Sequence, residues 1–235
     1  MDDPSSRNTR RFDLTISNLR DTSSVTKPAA KTKELLLDAA QHMFAAGGVH
    51  TVSAKEILAA ANQRNASALQ YHFGGREGLL FAIIDRHNTE IEAERGELLD
   101  RTDLTDLRML VTGIIVPFAR KLHSTAGREF LLIVAQLGER FDRWDVAPEA
   151  PKQAQRALQG IVDILAADPF SFAPEIRHER ATRFLALVSE ALGSRAASGS
   201  EREHRLTHDQ FVTNLIDMSL GALRADSSLS GPSRK

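Results

Sequence analysis

The chain has 235 residues, 42% hydrophobic and 26% charged, with a formal net charge of -1. That is enough chain for one large domain or two small ones, and too little net charge for binding a polyanion by bulk attraction. Cysteine is absent, which excludes disulfides, thiolate metal sites and cysteine nucleophiles.

The opening "MDDPSSRNTRRFDLTISNLRDTSS" has no apolar run of signal-peptide type, and no 18-residue apolar stretch occurs elsewhere. The expectation is a cytoplasmic protein with no membrane partner. Residues 1–30 read as a disordered basic arm. Through Lys33, Asp2, Asp3, Asp13 and Asp21 stand against seven arginines and lysines, a balance that suits phosphate contacts as well as it suits a solvated tail.

From Lys31 the apolar residues Leu36, Ala39, Ala40, Met43 and Phe44 follow helical spacing, and Gly47-Gly48 ends the helix. Ser53 and Glu56 have capping-box spacing, and Val52 with Ile57 that of a hydrophobic staple, so a second short helix spans about 54–61. Asn62 tolerates the left-handed conformation that a tight exit turn wants. Asn65 is a candidate N-cap for a third short helix ending near Phe73. After Gly74-Gly75 a long fourth helix starts at about Arg76, with Leu79, Leu80, Ile83 and Ile84 on its buried face. Two short helices joined by a tight turn make a helix-turn-helix, expected over 31–88.

On a helical wheel, Leu69 and Phe73 share the face that must pack, while Ser67 and Tyr71 point away from it. Gln70 and His72 flank them. A glutamine amide can pair with adenine in the major groove. Tyr71 and His72 can donate to phosphate oxygens, as can Ser53 and Lys55 at the start of the second helix. Six bases oppose six acids over 31–90, so placement of charge would have to serve where quantity does not.

The remainder, 89–225, reads as a helical bundle, followed by a disordered tail over 226–235. Pro117 inside "LTDLRMLVTGIIVPFARKLH" predicts a kink. "REFLLIVAQLGERF" is apolar nearly all round and predicts a central helix. "PKQAQRALQGIVDILAA" is amphipathic. Two further helices, about 178–196 and 208–224, carry Phe184, Leu187 and Val188 on the first and Phe211 and Leu215 on the second. Their apolar stripes are wide for surface helices, which makes these five residues candidates for a dimer interface. Met109, Ile115, Phe118, Ile133 and Trp144 are candidates for lining a pocket, and their chemistry favours a hydrophobic or amphipathic small molecule. His123 and His178 can orient such a ligand or simply face solvent.

The run "TKELLLDAAQHMFAAGGVHTVSAKEILAAANQRNASALQYHFGGREGLLFAII" resembles the N-terminal domain of the TetR family of bacterial transcriptional regulators. About 50 residues carry the likeness. It implies an all-α protein with a helix-turn-helix DNA-binding domain and a C-terminal helical bundle for dimerisation and ligand binding. It also implies a non-enzymatic homodimer, acting as a repressor on a palindromic double-stranded operator and released by a small-molecule effector, with no cofactor. By position, Ser53 and Lys55 look like phosphate contacts, Ser67 and Gln70 like base readers, and Tyr71, His72 and Arg76 like backbone contacts. Arg64 and Asn65 fall in a turn one residue longer than the common family form, where Asn62 replaces the usual glycine. Arg64 can then be a base reader, a phosphate contact or a loop residue.

Two other readings compete. Glu175-x-x-His178 and Glu201-x-x-His204 have the spacing of di-iron bundles, but such a site needs further inward carboxylates on facing helices. A helical scaffold without a pocket is the other; there the apolar helix around Phe130 is only core.

Overall fold

The computed structural model describes residues 23–63, 66–138, 151–167, 169–198 and 205–228. Among them every regular element is helical. In chain order these are α1 (Ser23–Gly47), α2 (Ala54–Ala60), α3 (Ala66–Phe73), α4 (Arg76–Asp100), α5 (Leu107–Ala119), a 3-10 turn (Arg120–His123), α6 (Thr125–Gln136), α7 (Lys152–Ala166), α8 (Pro174–Ala197) and α9 (His208–Arg224). None is long and apolar enough to cross a membrane.

Two hydrophobic cores form. The smaller unites α1–α3 with the start of α4 through Leu37, Phe44, Ile57, Leu69, Leu79 and Ile83. The larger fills the bundle of α4–α9 around Ile91, Leu110, Phe130, Ile161, Phe184 and Leu215. The division expected at residue 88 falls inside α4, which runs unbroken from one core to the other. A 25-residue helix is about 37 Å long, so the helix that seats the small unit is also a wall of the large one.

A polar knot locks the two units together. The Gln41 amide is 2% exposed. Its nitrogen donates to Ala126 O and Glu129 Oε2, both at 3.0 Å on α6. Its oxygen accepts from Arg86 Nη2 at 2.6 Å and lies 2.9 Å from His87 Nε2. That oxygen can only accept, so His87 carries its proton on Nε2. The His87 ring stacks on Phe130, centroids 4.4 Å apart. Burial, with Lys121 and Arg86 nearby, pushes its pKa down to about 4.

Several sequence expectations change in three dimensions. Helix α1 begins at Ser23 rather than Lys31. Pro117 lies two residues before the end of α5, where the chain tightens into the 3-10 turn. Its missing amide leaves Gly113 O without the usual i+4 partner, and Arg95 Nε supplies the bond at 3.0 Å. Helix α8 begins at Pro174, a turn before the expected start, and Gly193 lies inside it. A Cβ there would stand 2.4 Å from Ala135 Cβ, so this glycine lets α6 and α8 cross closely.

The candidate interface and pocket residues are mostly turned elsewhere. Phe184, Val188 and Leu215 are buried in their own bundle, because the stripe they form packs on its own chain first. Leu187 and Phe211 are partly exposed, with Arg195 over the Phe211 ring at 4.5 Å. Of the pocket candidates, Ile133 belongs to the small core and Ile115 to the large one. Met109 is exposed on the outside of α5. Phe118 stacks on Phe130 with centroids 6.0 Å apart. Trp144 lies outside the described residues.

Candidate DNA-reading surface

Helix α2 is set by its cap. Ser53 Oγ accepts from Glu56 N at 3.3 Å, and Ser53 N donates to Glu56 Oε2 at 2.8 Å, a reciprocal capping box. The Ser53 hydroxyl also donates to Glu56 Oε2 at 2.7 Å. These bonds hold the Glu56 carboxyl below the usual glutamate value, the side-chain bond from Ser53 first. Val52 and Ile57 are both buried beneath, as a staple requires. Ser53 and Lys55 are exposed at this end, and no ion pair holds Lys55 among the described residues.

Asn62 closes α2. Its φ of 52° is left-handed. Asn62 N donates to Ala59 O at 3.0 Å and Gln63 N to Leu58 O at 2.8 Å, the paired bonds of a Schellman motif. Asparagine thus fills the place where the family commonly has glycine. Arg64 and Asn65 lie outside the described residues.

Helix α3 divides as the wheel predicted. Leu69 is buried in the small core and Phe73 packs on its edge. Ser67 and Gln70 are exposed, and Tyr71 is 84% exposed. His72 is half-buried, its ring 5.1 Å from that of Tyr71 in an edge arrangement. Tyr71 thus carries its ring and hydroxyl outward, and the hydroxyl end suits a polar partner.

Three glycines and an arginine fix how α3 meets α4. Gly74 and Gly75 have φ of 71° and 122°. A Cβ on Gly78 would stand 1.7 Å from Phe73 O, so the last turn of α3 rests on α4 backbone to backbone. Arg76 is turned inward. Its Nε donates to Val52 O at 2.6 Å and its Nη2 to Val49 O, with the guanidinium 4.9 Å from the Phe44 ring. Arg76 therefore ties α4 to the α1–α2 connection, while the expectation for it was a phosphate contact. Gly78 went unnoticed in the sequence because a helical glycine gives no local sign of what lies against it.

Ser53, Lys55, Ser67, Gln70 and Tyr71 are thus exposed on a two-helix unit whose buried side is fully packed. Among known proteins, the family model "Bacterial regulatory proteins, tetR family" matches residues 36–83, the segment from α1 into α4 that builds this surface. Residues 36–83 carry the DNA-binding domain of TetR-family regulators. The fold is all-α. Eighteen solved chains also match it. One is Salmonella enterica GusR, 22% identical over 83% of this chain and 96% of that one, with a TM-score of 0.43. The assignment rests on the 36–83 match. No curated protein matches the chain.

In the bundle, open clefts among the described residues include two large ones. One of about 780 Å³ lies between the end of α5 and the start of α9, with Val116, Arg120, His123, His208 and Ile216 on its walls. The other, about 660 Å³, runs along α7 past Leu104, Gln159 and Ile164. None of Met109, Ile115, Phe118 and Ile133 lines either. Glu175 and His178 sit in the first turns of α8, Glu201 and His204 lie outside the described residues, and no group of three metal-capable side chains forms among those described.

Proposed function

We propose that this chain represses transcription as a homodimer on a palindromic operator, and that a small hydrophobic or amphipathic effector bound in the bundle releases it. The observation that carries the DNA part is the division of α3: Leu69 is buried while Ser67, Gln70 and Tyr71 are exposed. In this reading α3 enters the major groove and Gln70 meets a base edge. Lys55 at the start of α2 holds a phosphate, and Ser53 joins it by turning its hydroxyl away from Glu56.

A short reading helix covers only one half-site, so two copies related by a two-fold axis are required for a palindrome. The dimer face we assign is the outer side of α9. Asn214, Met218, Gly221 and Ala222 share that side and are all exposed, Met218 by 52%. A Cβ on Gly221 would meet nothing within 4 Å, which leaves room for a close neighbour. This replaces Phe184, Val188 and Leu215 as the contact, and keeps α9 as the helix that makes it.

The test is selection of bound DNA from a random pool by the full chain, with sedimentation of the free protein. Two inverted half-sites about one helical turn apart and a dimer at micromolar concentration are expected. A monomer that enriches no symmetric sequence sinks the proposal. On the selected operator, Gln70→Ala should relax one base position, at a cost of about 1–3 kcal/mol. Lys55→Ala should weaken all sequences alike and reduce the salt slope by about one. Equal behaviour of the two variants would contradict their assigned roles.

A further inference from the structure

Arg95 is 1% exposed, and it heads the large side chains that are fully buried among the described residues. Two of its nitrogens have internal tasks. Nε closes the carbonyl of Gly113 that Pro117 leaves open. Nη1 is paired with Glu92, one turn back on α4. The guanidinium also lies 5.6 Å from the Phe118 ring. Nη2 is different: it is buried, and no acceptor among the described residues reaches it.

Gln153, in the first turn of α7, completes the pattern. Its backbone N donates to the other oxygen of Glu92 at 2.7 Å. Its side-chain amide lies over Gly96, next to Arg95 in the chain, where a Cβ would come within 3.7 Å of Cδ. Its Oε1 is also buried, with no partner among the described residues. Glu92 thus binds both Arg95 and the backbone of Gln153, two residues that each keep one buried polar atom, Nη2 and Oε1, without a partner among the described residues. Proteins seldom leave such groups unpaired, and an arginine does not escape burial by losing its proton. Burial draws Arg95 below the ordinary arginine value, and Glu92 offsets only part of that.

We propose that Arg95, Gln153 and Phe118 form the head-group end of a site for a small amphipathic carboxylate. Arg95 Nη2 donates to the carboxylate, Gln153 Oε1 accepts from a neighbouring hydroxyl or amide hydrogen, and Phe118 meets the first apolar carbons. This names the chemical class of the effector, and so rests on the reading of the bundle as ligand-controlled. Neither open cleft includes these residues, so occupancy requires the first turn of α7 to shift, which lowers the apparent affinity by the cost of that shift. Arg95 stands on the same unbroken helix as Leu79, Leu80 and Ile83, which seat the reading head. An anion drawn to it therefore acts on the helix that carries the head.

The experiment is thermal unfolding of the full chain with straight-chain monocarboxylates of increasing length, each beside its methyl ester. A matching titration follows release from the selected operator. At least one acid should raise Tm with concentration while its ester does not. Gln153→Met should weaken that acid roughly tenfold, and Arg95→Met should abolish the effect. Should Arg95→Met not fold, Gln153→Glu, checked by circular dichroism, sets a like charge against the carboxylate and should abolish binding in its place. Acids without effect, acids and esters acting equally, or wild-type carboxylate binding by Gln153→Glu would each overturn the site. Release by an ester without any effect of its acid removes this site and leaves ligand control standing. Acid binding with the protein still on its operator keeps the site and removes release as its consequence.

Discussion

His87 offers a measurable link between the polar knot and stability. It is 7% exposed, stacked on Phe130 and bonded to Gln41, with its pKa pushed down to about 4, chiefly by burial and then by Lys121 and Arg86. An unfolded histidine titrates near 6.5. The folded state therefore favours the neutral ring, and the benefit is fully present above pH 6.5. As pH falls from there towards 4, the unfolded chain takes up a proton that the folded one refuses, and the benefit is lost. A difference of about 2.5 pH units corresponds to about 3 kcal/mol.

Carboxylates titrate over the same range. Among them is Glu90, held low by its bond and charge contact with Lys121. The effect must therefore be read as a difference. Urea unfolding of wild type and His87→Gln, at steps between pH 7 and 4, should show wild type losing about 3 kcal/mol more than the variant over that span. At pH 7 the variant should be weaker by about 1–2 kcal/mol, from the lost stack and the altered bond to Gln41. Parallel curves, or a His87 proton resonance titrating near 6.5 in the folded protein, would refute the account.

Two further outcomes test the geometry of the reading head. Gly78→Ala places a Cβ 1.7 Å from Phe73 O; it should cost about 1–3 kcal/mol and abolish operator binding while bundle ellipticity persists, and retained binding would mean that α3 does not rest on α4 as described. Asn62 has φ of 52°, so Asn62→Gly should leave urea stability within about 0.5 kcal/mol while Asn62→Val costs about 1–2 kcal/mol. Equal stability of the two would show that the left-handed turn is not required.

The chain announces its helix ends openly. Ser53 with Glu56 and Thr207 with Gln210 each form the reciprocal bonds that their spacing suggests. Asn62 takes the left-handed conformation expected of it, and Leu69 and Tyr71 divide α3 as a wheel predicts. These features rest on bonds and periodicities spanning a few residues, and such distances are written directly into the order of side chains. The match of residues 36–83 to the family falls on the same stretch.

What covers each face is a different matter. Periodicity marks Phe184, Val188 and Leu215 as apolar, but it does not say whether a partner or the same chain buries them, and in the structure it is the same chain. Arg76 looks like a phosphate ligand until Val49 and Val52, more than 20 residues away, present their carbonyls to it. Gln41 meets Ala126, and Arg95 meets the carbonyl freed by Pro117, across separations of 85 and 18 residues. The sequence alone determined the caps of α2 and α9, the turn at Asn62 and the two faces of α3, because those signals are local. Tertiary packing decided which polar groups serve the interior and which remain for a partner, because a buried donor takes whatever acceptor the fold brings within 3 Å of it.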